Sequence, residues 1–302
     1  MPRPDSTQAR SGGGAGEDQG SRTVVVREVG TAREYEACVD LQRAVWGQDF
    51  SGCVPPSLLR VVSEAGGVVA GAFEGERLLG FVLGLTALRQ GELAHWSHML
   101  AVRREARGRG LGTRLKLCQR DLLLAKGIQV AYWTFDPLMA RNAYLNLVRL
   151  GGEAVEYCVD MYGSETGSQL HGEVATDRLV VRWRLESKLV LAAIERREAT
   201  RTTRGGMDAS GPQAVAVENG GPKCVDPLPS DRRIVVPIPS GFEDVLTRSA
   251  EMAERWRSAT RQAFQGLMRR GYRVTGFGAC GQGRSGYLLE RAHERSGVGR
   301  AS

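Results

Sequence analysis

Apolar residues in the first 185 positions fall into runs of two kinds, and their succession predicts alternating β and α elements. Residues 23–29 (Thr-Val-Val-Val-Arg-Glu-Val) read as a first strand. Thr31, followed by Glu34, has the lettering of a capping box for a helix that carries Tyr35, Cys38, Val39, Gln42 and Val45 to Trp46. Pro55-Pro56 opens a second, short helix over 57–65. Residues 67–73 and 78–85 are apolar β-type runs around Glu74-Gly75-Glu76-Arg77, the pattern of a hairpin. A third such run, 93–102, leads through a glycine-rich turn into a helix over 111–126. Leu115, Cys118, Leu122 and Ala125 form the apolar stripe of that helix, and Gly127 stands past its end. A buried-looking strand over 128–135, a helix over 140–150 closed by Gly151-Gly152, and strands over 154–159 and 179–185 complete the series.

The pattern then changes. Residues 187–230 lose periodicity and gain Gly, Thr, Arg and Pro, which predicts a linker or loop with a candidate short strand at 213–218. Residues 234–238 restart β structure, 242–270 read as one long helix capped by Ser240, and 271–277 as a last strand. The expected organisation is a tail over 1–22, a domain over 23–185, a linker over 186–230, a β-α-β extension over 231–290 and a second tail over 291–302.

Composition narrows the class. No apolar run approaches the roughly 20 residues that cross a bilayer. The N-terminus lacks the apolar stretch of a secretory signal. The six cysteines are scattered without a Cys-x-x-Cys pair, and His95 and His98 have no carboxylate cluster beside them. These features predict a cytoplasmic protein with reduced thiols, no metal and no membrane partner. A net charge of +7 favours anionic partners. The charge is spread along the chain, so a nucleic-acid role has little local support. The arginines of the 242–270 helix (Arg248, Arg255, Arg257, Arg261, Arg269 and Arg270) are interleaved with Glu243, Asp244, Glu251 and Glu254, the pattern of a solvated face.

The turn Arg107-Gly108-Arg109-Gly110-Leu111-Gly112-Thr113 is the strongest local signal. A strand that feeds a glycine turn and then a helix start presents backbone N–H donors and the positive end of a helix dipole, which suits a diphosphate. An arginine on each side of Gly108 adds charge there. The lettering excludes two common phosphate cradles. A P-loop requires Gly-Lys-Ser/Thr where this chain has Gly112-Thr113-Arg114, and the dinucleotide fingerprint requires G-x-G-x-x-G, whereas these glycines are spaced by two. Arg-x-x-Gly-x-Gly does fit, as Arg107, Gly110 and Gly112.

That loop resembles the acyl-CoA pyrophosphate loop of the GNAT superfamily of N-acyltransferases, and the element order over 24–183 is similar to the fold of that family. Ser97-His98-Met99-Leu100-Ala101-Val102, Leu115-Lys116 with Gln119-Arg120, Trp133-Thr134-Phe135-Asp136-Pro137-Leu138 and Thr176-Asp177-Arg178 look like a group of largely uncharacterised bacterial members with a C-terminal extension. The resemblance implies an α/β (α+β) fold with a mixed central sheet flanked by helices. It also implies transfer of an acetyl or related short acyl group from acyl-CoA to an amine, and the lack of an evident protein-docking feature in the sequence points to a small acceptor, such as an amino-acid-like one. Leu100 and Val102 would hold the pantetheine arm, and Arg107, Gly108, Arg109, Gly110, Leu111, Gly112 and Thr113 the pyrophosphate, with no metal needed.

The catalytic side is less determined. Many members place a tyrosine four residues before the glycine that closes the later helix; here that position is Leu147. Tyr144, almost a turn earlier, is a substitute proton donor or else an aromatic packed on the sheet. Asp136 is a candidate base or ammonium anchor, and equally the start of an Asp-Pro turn. His98 could accept a proton near neutral pH or be a satisfied interior histidine. Asn142 and Asn146 share a helix face and could bind a polar substrate or the pantetheine amides, or serve as structural hydrogen-bonding groups. Asp177-Arg178 reads most simply as a structural salt-bridge pair, with Arg178 as a carboxylate anchor the alternative. Two other readings remain open: a non-catalytic acyl-CoA-binding regulatory module, and a basic nucleic-acid-associated protein.

Overall fold

The computed structural model describes residues 23–163, 174–199, 207–218 and 221–291; the expected tails, apart from Arg291, lie outside the described residues. The first strand, β1 (Val24–Glu28), is followed by α1 (Ala32–Trp46), α2 (Pro56–Glu64), β2 (Val68–Glu74), β3 (Arg77–Arg89) and β4 (Glu92–Val102). A 3-10 turn over Arg104–Ala106 leads to α3 (Leu111–Ala125), then β5 (Val130–Phe135) and α4 (Ala140–Ala143). The α4 helix runs on as a π-helical turn, Tyr144–Arg149, before β6 (Glu153–Cys158) and β7 (Arg178–Arg184).

These seven strands form one mixed sheet in the order β1-β2-β3-β4-β5-β7-β6. The continuous apolar lettering of β2 and β3 has a cause, because the sheet is covered on both faces. On one face Val69, Phe81 and Leu83 pack with Tyr35, Leu41 and Leu59 of α1 and α2. On the other, Ala70, Leu79 and Val82 pack with Leu111, Leu115 and Leu123 of α3. Both halves of the Thr31–Glu34 capping box form, and Gly75 turns the hairpin at φ 61°.

The α3 stripe differs from its expected composition. The inward face runs Leu111, Leu115, Gln119 and Leu123 with Lys116 beside it, while Ala125 is exposed. The expected stripe skips Lys and Gln, so it places the helix about a quarter-turn from its true orientation.

The rest of the chain adds α5 (Lys188–Ala199), β8 (Met207–Asp208), a ribbon of β9 (Val215–Glu218) and β10 (Gly221–Cys224), and β11 (Arg233–Pro239). Then come α6 (Phe242–Arg248), α7 (Ala250–Arg269), β12 (Tyr272–Ala279) and β13 (Arg284–Arg291). The second sheet has the order β11-β13-β12-β8. Three expectations are corrected. The stretch read as linker contains α5, whose Val190 and Ala193 are buried. The long helix is two, because Ser249 takes an extended conformation (φ −159°, ψ 106°) and its hydroxyl accepts from the Met252 N–H; Ser240 instead bonds Ser285. The extension is not a β-α-β unit, since β13, which follows the strand expected to be the last, is an inner strand with Tyr287 and Leu289 fully buried. The extension also docks without a break: Phe264 stacks on Tyr157 at 5.3 Å and meets Tyr287 at 5.1 Å within one apolar cluster spanning both sheets.

Candidate functional site

β4 and β5 are the one parallel pair in the large sheet, and they pair only at His95–Ala131 and Trp96–Tyr132. Past those residues the strands part, so among the described residues β4 from Ser97 to Val102 has no strand partner on its β5 side. It stays paired with β3 as far as Val102–Gly80, with a register shift that leaves His98 as the extra, bulged residue. A parted parallel pair leaves main-chain N–H and C=O groups unpaired inside a wedge, where an amide-bearing chain can bond them. Leu100 and Val102, partly buried, lie along this wedge. Its two arms lead to the glycine turn and to α4. A methyl group added at Gly112 would lie 3.8 Å from Leu100 and 3.9 Å from Leu145, so turn, strand and π-helical turn converge.

The glycine turn leads into a helix start that no side chain caps. Gly108 and Gly110 have φ of 81° and 72°, a region that strains other residues. Gly110 is the α3 N-cap and has no side-chain bond; the first helical bond runs from Arg114 N–H to the Gly110 carbonyl. The N–H groups of Leu111, Gly112 and Thr113 therefore lie in the helix's first turn, where no intrahelical acceptor exists, and no acidic residue stands there. Partial burial, together with the nearby charges of Arg141 and Arg104, lowers the pKa of Arg107, against a raising effect from Glu243. Arg109 differs from expectation: it turns away to Glu74 at 2.8 Å.

Asp136 is placed as a joint rather than as an open base. Its two carboxylate oxygens accept from Arg257 of α7 at 2.8 and 2.6 Å, Arg178 stands at 3.6 Å, and the Leu138 N–H donates at 2.8 Å. Arg257, expected on a solvated face, is only 2% exposed. Asp177 and Arg178 do not pair through their side chains. Asp177, fully buried, accepts from Arg261 at 2.8 and 2.7 Å and from the Tyr157 hydroxyl at 2.6 Å. Burial pushes the Asp177 pKa up, but these bonds and the Asp160 N–H outweigh it, and the net shift is downward from 3.8.

The other candidates divide between the wedge and its surroundings. His98 is exposed, yet neighbouring atoms shield enough of the ring to lower its pKa below 6.5. Asn146 is buried and accepts from the Trp133 indole N–H at 3.1 Å, so it does not share an open face with the partly exposed Asn142. Tyr144 starts the π-helical turn and borders an open cavity of about 580 Å³ with Ala140, Ser240, Phe277 and Arg284. Leu147 is packed against the apolar interior.

Sequence reasoning missed one cluster. Lys116 is 2% exposed, donates to Ser97 Oγ at 3.0 Å and Gln119 Oε1 at 2.8 Å, and sits 3.6 Å from the centre of the Trp133 ring. Gln119 in turn meets His95 Nε2 at 3.0 Å. A lysine and a glutamine on an otherwise apolar helix face are the signal that could have found it. Among the described residues there is no cluster of His, Cys, Asp and Glu able to hold a metal, and no helix long and apolar enough to cross a membrane.

Residues 35–145 match the model of the acetyltransferase (GNAT) family. A search of curated proteins finds no match to the chain. Among solved structures, the chain is similar to the ribosomal-protein-S18-alanine N-acetyltransferase of Escherichia coli, at 12% identity over 55% of this chain and 96% of that one, with a TM-score of 0.43. It is similar also to an N-acetyltransferase of Staphylococcus aureus Mu50, at 13% identity over 54% and 99%, TM-score 0.44. A third is an aminoglycoside 6'-N-acetyltransferase complexed with coenzyme A, at 13% identity over 54% and 98%, TM-score 0.41.

Proposed function

We propose that this chain, whose residues 35–145 match the acetyltransferase (GNAT) family, is an acyl-CoA-dependent N-acyltransferase that moves an acetyl or other short acyl group to the amine of a small acceptor. The observation that carries the reading is the wedge between β4 and β5, which opens onto an uncapped helix start beside Arg107, with the charges of Arg104 and Arg141 near it. The acyl-CoA pyrophosphate would lie on the N–H groups of Leu111, Gly112 and Thr113, with Arg107 beside it. The pantetheine arm would bond the free edge of β4 at Leu100 and Val102, with Asn142 facing it from α4. That arrangement holds the thioester near His98 and Ser97, where β4 and β5 begin to part.

An acceptor amine with an ordinary pKa near 10 must lose a proton before it attacks. His98 suits that step: with its pKa below 6.5 it is a neutral imidazole at pH 7, able to accept. Asp136 does not, because both oxygens are committed to Arg257. The cavity beside Tyr144 supports a small acceptor and gives Arg284 a place to meet an acidic group on it.

The test is a mixture of primary amines offered with acetyl-, propionyl- and succinyl-CoA, with acylated products read by mass spectrometry and free CoA by thiol release. An acylated amine with stoichiometric CoA is the expected result. Acyl-CoA binding with no product from any amine would favour a non-catalytic binding module. His98→Ala is expected to lower turnover roughly 10²-fold with acetyl-CoA affinity unchanged.

A further inference from the structure

The reaction releases a thiolate, and the position that carries a proton-donating tyrosine in many relatives is Leu147, which has no proton to give. The interior of the wedge offers another source. Ser97 is the first β4 residue past the last pair with β5, and Trp133 is the first on β5. Lys116 reaches from α3 to both, bonded to Ser97 Oγ at 3.0 Å and lying 3.6 Å from the Trp133 ring centre. We propose that Ser97 and Lys116 form a proton-delivery pair at the vertex of the β4–β5 wedge, with Ser97 giving its hydroxyl proton to the departing thiolate and Lys116 restoring it.

The stereochemistry fits this direction of flow. An ammonium has three N–H donors, and Lys116 meets three acceptors: Ser97 Oγ, Gln119 Oε1 and the Trp133 indole face. Because Lys116 donates to Ser97, the serine's own hydroxyl proton is left to point elsewhere. Among the described residues no carboxylate lies within ion-pair distance of Lys116, so nothing locks the charge in place. Burial lowers its pKa well below 10.5, which makes the buried ammonium a readier acid than an ordinary lysine. The group facing it from β4 that can titrate is His95, which burial and the charge of Lys116 hold neutral, with a pKa of about 3. From β5 and β7 it faces the indoles of Trp133 and Trp183, and Gln119 lies on its own helix; none of these titrates.

The proposal rests on the acyltransferase reading, and its balance is complete within it. The ammonium form of the acceptor first gives one proton to His98, which passes it to solvent; as the N–C bond of the resulting neutral amine forms, a second proton passes to His98 and the C–S bond breaks. The Ser97 proton moves to sulfur, a Lys116 proton moves to Ser97 Oγ, and CoA leaves as the thiol. Solvent then removes the proton from His98 and returns one to Lys116. Lys116 acts through Ser97, so it is a positioning and resupply residue.

Two measurements test this. The chain has four lysines (Lys116, Lys126, Lys188 and Lys223), so 13C-lysine labelling gives a sparse NMR spectrum in which Lys116→Met identifies one signal. That signal is expected to titrate well below the ordinary value of about 10.4; titration at or above it overturns the proposal. In thiol-release assays with acetyl-CoA and a mixture of amino acids, Lys116→Met and Ser97→Ala should each lower kcat roughly 10²-fold. Both should also remove the alkaline fall of the pH profile while leaving acetyl-CoA affinity and melting temperature nearly unchanged. Lys116→Arg, which keeps a charge but cannot release a proton, should not restore the rate. Unchanged kcat and alkaline limb in both variants, with acetyl-CoA still bound, overturn the pair alone. A wild-type protein that neither binds acetyl-CoA nor releases thiol overturns the acyltransferase reading and the pair with it.

Discussion

Around the glycine turn, Arg104, Arg107 and Arg141 stand close enough for their like charges to lower the proton affinity of Arg107, and Glu243 offsets this only in part. At the far end of β5 the arginines stand differently: Arg257 and Arg261 each grip a carboxylate with two hydrogen bonds, and the Arg257 guanidinium and the Asp177 carboxylate are nearly sealed from solvent. Both groups gather positive charge at the mouth of the same wedge. In the first, Arg141 meets Glu243 at 3.3 Å, but among the described residues Arg104 and Arg107 have no carboxylate within ion-pair distance, and their charge is left to be met by something else. A cluster of cations that repel one another on a helix N-terminus is arranged for an anion that comes and goes. Guanidiniums in bidentate pairs with buried carboxylates are arranged to hold two parts of a chain together. Asp136 and Asp177, at the ends of β5 and β7, thus anchor the C-terminal extension beside the site.

This contrast can be broken most forcefully on the structural side. Arg257→Ala leaves the Asp136 carboxylate without its main partner and should cost about 3–5 kcal/mol of stability, the typical loss when one member of a buried pair is removed. Thermal or denaturant unfolding checks it; a loss under 1 kcal/mol would mean that the pair is not holding the extension. On the binding side, Arg107→Ala should weaken acetyl-CoA binding about tenfold, or about 1.4 kcal/mol, and the loss should shrink as salt is raised. Arg109→Ala should weaken it less than Arg107→Ala, because Arg109 is already engaged by Glu74. Equal effects would show that both arginines reach the ligand.

The smallest effect is one of pH. Asp177 has a folded-state pKa below its ordinary 3.8, so its contribution to stability is complete above the usual carboxylate range and is lost as pH falls through and below it. Asp177→Asn should flatten the acid side of the stability profile between about pH 5 and 3. An unchanged slope would assign the acid sensitivity to other carboxylates.

The parts of this picture that were legible from the sequence are those written in neighbouring residues. The capping box of α1, the β2–β3 hairpin and the glycines that require a left-handed backbone depend on spacings of a few positions. The role of Leu100 and Val102 followed from resemblance, and the parting of β4 and β5 after two paired positions is a property of the folded sheet. Asp136 and Arg257 are 121 residues apart, and no local pattern couples them. Lys116 and Gln119 were hidden for a different reason. A stripe is recognised by its apolar members, so a helix that turns polar side chains inward is read in the wrong rotation. Ser249 and β13 show the same limit, where a capping hydroxyl divided an apparently continuous helix and a short apolar run proved to be an inner strand.

The central claim is that the uncapped start of α3, with the parted edge of β4, receives acyl-CoA. Calorimetric titration of acetyl-CoA into the wild-type protein and Gly110→Trp tests it directly, with a melting curve of the variant to verify that it is folded. Saturable one-to-one binding to the wild type is expected. A loss of at least ~10²-fold, about 2.7 kcal/mol, is expected in the variant, whose side chain would occupy the cradle at a position that needs positive φ. No binding to the wild type, or equal binding to a folded variant, would contradict the account.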